Sequence, residues 1–203
     1  MSLVPPEKTE NFDDLLAAIH RCRLCEPFLP LGPKPVLIAR PTARILIVGQ
    51  APGKRVHETG LPFNDPSGDR LRSWLGIDRE TFYHSAYIGV VPMGFCYPGT
   101  GKNGDLPPRP ECAETWRACL LAGMPKVELT LLLGQYAQHY HLGRSRKRNL
   151  TQTVAAWRDY WPAFLPLPHP SPRNIRWFQR NPWMEQELLP LLQQRVASIL
   201  QQE

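Results

Sequence analysis

The amino-acid sequence predicts a three-layer α/β/α fold with a central, mostly parallel, four-stranded sheet, on three observations. Short continuous apolar runs recur at residues 43–49, 86–91, 128–134 and 164–167, as in strands covered on both faces. Segments with helical spacing of apolar residues lie between them, so strand and helix alternate. The first run breaks directly into Gly49-Gln50-Ala51-Pro52-Gly53, a turn at the carboxyl end of a strand, where open α/β sheets bind their ligands. With 42% hydrophobic and 21% charged residues over 203 positions, the composition is that of a single globular domain spanning residues 1–203.

Taken in order, Phe12, Leu15, Leu16 and Ile19 share one helical face across residues 11–21, with Asn11 or Asp13 as the cap. After the strand at 43–49 and its turn, residues 67–75 predict a helix capped by Ser67, with Leu71 and Leu75 on one face and Gly76 as its stop. The strand at 86–91 leads into a Gly- and Pro-rich stretch, 92–110, framed by Cys96 and Cys112. So long a connection marks either function or a tether. A helix at 111–122, a strand at 128–134 and helices at 135–141 and 150–160 follow. Cys119, at helical spacing from Trp116, is expected in the core. The strand at 164–167 feeds a loop containing His169. A terminal amphipathic helix over 182–201 turns Leu188, Leu191, Leu192, Val196 and Leu200 inward.

The net charge of +6 and a pI near 9.2 suit a polyanionic partner. No apolar stretch approaches the ~20 residues that span a bilayer, and residues 1–10 lack the plan of a signal peptide. A cytoplasmic protein, monomeric and free of membranes, is expected.

Five segments occur together: Gly49-Gln50-Ala51-Pro52-Gly53, Gly60-Leu61-Pro62-Phe63, Tyr87-Ile88-Gly89-Val90-Val91, Leu131-Leu132-Leu133-Gly134 and His169-Pro170-Ser171. In order and spacing they resemble the uracil-DNA glycosylase superfamily, most closely its iron-sulfur branch, often called family four. Pro172-Arg173-Asn174 after the histidine is more similar to the single-strand-selective branch. The resemblance implies base-excision repair: a monofunctional glycosylase that flips a deaminated base from DNA and hydrolyses its bond to the sugar with water and no catalytic lysine. His169 would then donate a hydrogen bond to the departing base, Phe63 would stack on it, and the amides of Gln50 and Ala51 would face it. Taken alone, His169 reads equally as a loop histidine stiffened by Pro168 and Pro170, Phe63 as a core aromatic, and the turn as a plain strand-to-helix connection.

Two positions depart from the family pattern. Ala51 stands where the best-known branch carries a water-activating Asp, so Asp65, Glu58 or His57 is the expected substitute. Asp65 leads because Asp65-Pro66-Ser67-Gly68-Asp69 looks like an acidic motif of another branch. Asp65 also reads as a helix cap, and Glu58 as a partner of Lys54 or Arg55. Gly89 stands where the family places an Asn that reads the base edge. Asn64 is the expected replacement, since its amide offers both a donor and an acceptor, and hypoxanthine, xanthine and oxidised pyrimidines join uracil as possible substrates. An alternative function is binding or covalent capture of uracil-containing DNA through the motif histidine, without turnover. A third, a phosphate-binding enzyme, lacks the Lys-Ser/Thr pair that ends such loops.

Cys22, Cys25, Cys96 and Cys112 resemble the four ligands of the iron-sulfur branch, which implies a 4Fe-4S cluster, with tetrahedral zinc as the alternative. Ser171, Arg173, Asn174 and Arg176 follow the motif histidine, and Lys54 and Arg55 follow the first turn; all six are candidate DNA contacts. The basic run at residues 144–148 reads either as a phosphate grip or as a solvated loop.

Overall fold

The computed structural model describes residues 11–102 and 104–201. Its strands are β1 (Ile45–Val48), β2 (Ile88–Val90), β3 (Thr100–Gly101), β4 (Gly104–Asp105), β5 (Leu129–Leu133) and β6 (Phe164–Leu167). Among the described residues, β2-β1-β5-β6 form the central sheet, every pairing parallel, and β3-β4 form a separate antiparallel hairpin. The α/β/α architecture is as expected.

The apolar run of β1 is explained by its two faces. Ile45 and Ile47 enter one core with Leu71, Trp74, Phe82, Leu192 and Val196, whereas Leu46 and Val48 enter another with Leu15, Ile19, Trp116 and Leu120. All four are essentially without exposure. Each such side chain contributes about 1.5–3 kcal/mol by leaving water, so neither face of the strand tolerates a polar residue. The helices α1 (Phe12–His20) and α5 (Pro110–Ala122) pack together on one side. On the other side, α3 (Pro66–Leu75) packs against α9 (Leu189–Leu200). Asn11 caps α1 as expected, and Gly76 ends α3 in the left-handed region at φ 67°.

Several local expectations are corrected. Asp65 and not Ser67 caps α3: its Oδ1 accepts the Gly68 N–H at 2.9 Å, and Pro66 takes the first helical position, where no N–H is needed. Cys119 is exposed, because α5 buries Trp116, Arg117 and Leu120 instead. The helix expected over 150–160 is α7 (Leu150–Ala155) followed by a 3-10 turn, and the terminal helix begins with a π turn over Met184–Leu188. The buried stripe runs through Leu188, Leu192, Val196 and Ile199, and Leu191 is exposed. Short helices not foreseen in sequence are α2 (Lys54–Thr59), α4 (Arg79–His84) and α8 (Ile175–Arg180); α6 (Gln135–Leu142) falls where expected.

Candidate active site

The carboxyl ends of β1, β2 and β6 converge on a cavity of about 550 Å³. The Gly49–Gly53 turn forms one wall and is held by the chain leaving β2: Met93 N–H donates to Gly49 O at 2.9 Å and Gly94 N–H to Gln50 O at 3.0 Å. The loop after β6 forms the facing wall. Asn174 Nδ2 donates to His169 O at 2.8 Å, Arg70 Nη1 donates to Pro170 O and Ser171 O, and Ser171 Oγ accepts the Arg173 N–H. The backbone of this loop is thereby held at the His169 carbonyl and at both following residues.

Burial lowers the His169 pKa below the ordinary histidine value, and the Asp65 and Asp105 carboxylates act in the opposite sense. At neutral pH the ring is therefore a neutral donor. Phe63 faces it, with ring centroids 6.3 Å apart and planes 25° from parallel. The Phe63 backbone is left-handed at φ 54°, a conformation that costs an L-residue about 1–2 kcal/mol. The surroundings enforce it. Arg72 Nη1 donates to Phe63 O at 3.2 Å, and α3 approaches so closely at Gly68 that a Cβ there would lie 1.7 Å from the same oxygen. Strain of this kind is typically retained where a side chain must meet a ligand.

The cavity gathers Gln50, Ala51, Phe63, Asp65, His169, Ser171, Arg173 and Asn174 from the sequence candidates. Others lie outside its wall. Asn64 turns away, its Oδ1 accepting from Arg79 Nη2 at 2.9 Å. Glu58 is exposed on α2, 4.0 Å from Lys54. His57 is buried beside Tyr97 with its Nδ1 unpaired among the described residues, and burial lowers its pKa. Lys54 lines a neighbouring apolar groove with Phe28, Leu31 and Leu106, and Arg55 and Arg176 are exposed. The run 144–148 is also exposed, with Lys147 paired to Asp159 at 2.7 Å.

Position 89 requires a correction. A Cβ on Gly89 would sit 2.8 Å from Met124 Cε and 3.4 Å from Ala43 Cβ, inside the core layer under α5. An Asn there would be buried away from the base. The residues of this strand end that reach the cavity are Val90 and Pro92, which offer no side-chain hydrogen bond.

Asp105, on β4, lines the cavity and was not foreseen in sequence. Its Oδ1 accepts from Thr100 Oγ1 at 3.2 Å, and Gln50 Nε2 donates to Asp105 O at 3.3 Å and Leu106 O at 2.7 Å. A carboxylate inside the long stretch framed by two cysteines was the available signal.

The family model of the uracil DNA glycosylase superfamily matches residues 37–193. The chain belongs to this superfamily. A solution NMR structure of a candidate uracil DNA glycosylase from Methanosarcina acetivorans is similar over 78% of this chain and 94% of its own, at 17% identity and a TM-score of 0.45. Membership in the uracil DNA glycosylase superfamily supports a DNA glycosylase role at family level. No helix among the described residues is long and apolar enough to cross a membrane.

In this superfamily member a second cavity, lined mainly by apolar groups, brings together Cys22, Cys25, Cys96 and Cys112. Every one of the four sulfurs meets an N–H donor. Trp116 Nε1 donates to Cys22 and Phe95 N–H to Cys112, each at 3.4 Å. The Arg109 side chain donates to Cys25, and the Lys34 backbone to Cys96. Burial pushes the Cys96 thiol up to about 11 and the Cys112 thiol up to about 12, so both stay protonated unless a cation compensates the thiolates. As they stand, no three His, Cys, Asp or Glu residues among those described are arranged to hold a single metal ion.

Proposed function

We propose that the protein is a monofunctional DNA glycosylase that takes a deaminated base, uracil foremost, into the cavity and hydrolyses its N-glycosidic bond. The observation that carries this reading is the pairing of a neutral His169, on a loop whose backbone is held, with the strained Phe63 across one cavity. Flipping costs a few kcal/mol and least for a mispaired base. Once inside, the base stacks on Phe63. As the C1′–N bond lengthens, negative charge grows on the base carbonyl oxygen, and a neutral imidazole N–H aimed at it stabilises the transition state more than the ground state. Ser171, Arg173 and Asn174, which line the cavity, would meet the DNA backbone. Val90 and Pro92 give no base-edge readout, so discrimination between uracil, hypoxanthine and xanthine is expected to be modest.

Hydrolysis is favoured over covalent capture because the cavity that holds His169 is also lined by carboxylates, Asp65 and Asp105, and a carboxylate there can act as general base toward a water. A panel of labelled single- and double-stranded oligonucleotides, each with one uracil, hypoxanthine, xanthine or oxidised pyrimidine, tests the reading. Alkali-labile strand scission supports hydrolysis. A heat-stable protein-DNA band would instead mean capture, and neither product on any substrate would reject both.

Cys22, Cys25, Cys96 and Cys112 fit a 4Fe-4S cluster, since a donor set of four thiols, each met by an N–H, matches thiolate ligation. Such a group, when bound, would supply cross-linking and no step of the hydrolysis. Absorbance near the sulfur-to-iron charge-transfer region, with iron, sulfide and zinc quantified on the same sample, separates cluster, zinc and empty thiols.

A further inference from the structure

Resting on the glycosylase reading, we infer that Asp105 is the catalytic carboxylate, reaching the reacting centre from the β3-β4 hairpin and replacing the one that Ala51 does not supply. Three observations place it there. Asp105 Oδ2 lies against the first turn, 3.3 Å from where a Cβ on Gly53 would be. The hairpin is tied to that turn by the Gln50 amide, which donates to the carbonyls of both Asp105 and Leu106. On its other side, the hairpin touches the histidine loop: Arg173 Nη1 lies so close to Gly104 that a Cβ would sit 2.2 Å from it, and Gly104 holds φ 128°. The hairpin is thereby a third wall of the cavity, fixed to both of the others.

Asp65, the other carboxylate, is engaged differently. Its Oδ1 caps α3 through the Gly68 N–H, and the same helix end holds Phe63 in its left-handed conformation. Asp65 is therefore a positioning residue for the stacking wall. Asp105 is exposed at the cavity, and its single described side-chain partner is the Thr100 hydroxyl.

The step balances with water alone. The C1′–N bond breaks and its electron pair leaves on the base. The water oxygen bonds to C1′, and the proton it sheds passes to the Asp105 carboxylate and then to solvent or to the base anion. While the sugar carries positive charge, the same carboxylate stabilises it.

The test is single-turnover base release, with DNA affinity measured by fluorescence anisotropy, on the substrate that the wild-type protein cleaves. Asp105→Asn should lose about 10²–10⁴-fold in release rate while its Kd stays near the wild-type value. Asp105→Glu should regain part of that loss. Asp65→Asn preserves the cap, because Asn caps as well as Asp, and should fall by less than Asp105→Asn. Because Asp105 is exposed, its variants are expected to fold; thermal unfolding checks this, with Asp105→Ala as the second variant. Release by Asp105→Asn at close to the wild-type rate, or an equal or larger loss in Asp65→Asn, would overturn the assignment to Asp105 and leave the glycosylase reading standing. A wild-type protein that releases no base from any substrate sinks both.

Discussion

Taking the protein from pH 7.5 to pH 5 should remove about 2 kcal/mol of stability through one histidine. Arg117 on α5 is fully buried, and among the described residues no carboxylate pairs with it. Its guanidinium donates to Val91 O, to Pro92 O at 2.9 Å, and to His141 Nε2 at 3.0–3.3 Å. His141 must therefore be neutral, with Nε2 as acceptor. Burial first, and the Arg117 charge second, push its pKa from 6.5 down to about 3. Because the folded value lies below the unfolded one, this contribution is complete above pH 6.5 and is lost as the pH falls toward 3. At about 1.4 kcal/mol per unit, the 1.5 units between 6.5 and pH 5 give about 2 kcal/mol. Urea unfolding at pH 7.5, 6 and 5 should be compared between wild type and His141→Gln, whose amide oxygen can still accept from Arg117 and does not titrate. His57 and His169, whose pKa values burial also lowers, titrate in both proteins, so the difference between the two pH profiles isolates His141. Parallel profiles would refute the argument. Since Pro92 lines the cavity, acid should also slow base release before global unfolding.

Three further outcomes follow from the site. His169→Ala should lower single-turnover release by about 10²–10³-fold with DNA affinity retained; parallel loss of both would make the histidine structural. Gly68→Ala should cost about 3 kcal/mol or more in urea unfolding, because its Cβ would overlap the Phe63 carbonyl, whereas Gly49→Ala, with 3.6 Å to the Phe63 ring, should be far milder. Cys112→Ser should abolish any bound iron, measured by metal analysis, and lower the melting temperature; a wild type that carries no metal as purified and melts no higher than the variant would show that the thiols hold nothing.

The sheet was legible because residues such as Ile45, Leu46, Ile47 and Val48 must serve two cores at once, and a continuous apolar run records that directly. The turn and the histidine loop were legible for a related reason, since backbone geometry at a strand end demands Gly and Pro. Side-chain direction was less visible. Whether Gly89 faces the base or Met124 depends on strand register to a single residue, and whether Asn64 enters the cavity depends on Arg79, 15 positions along the chain. Asp65 shows a limit of another kind: in sequence the same residue in the same place reads as a helix cap or as a catalytic carboxylate, and the Gly68 N–H bond is what marks it as the cap. Asp105 was hidden because a two-residue strand has no periodicity to read.

The hairpin also accounts for the placing of the cysteines. Hydrolysis of an N-glycosidic bond moves no electrons through a protein group, so a redox role is not required of the thiol cavity. Cys96 and Cys112 stand at the two roots of the segment that carries Asp105, and Cys22 and Cys25 follow α1, which packs on the helix containing Cys112. Joining the ends of a 15-residue segment such as 97–111 removes about 3 kcal/mol of chain entropy from the unfolded state. That amount exceeds the ~1 kcal/mol of one hydrogen bond such as Gln50 to Leu106. On this reasoning, a group bound by the thiols would set the hairpin's position, while Gln50 would orient its tip. Loss of the group should therefore lower both base release and the melting temperature, because Cys22 and Cys112 also pack against the core that Leu46 and Val48 enter.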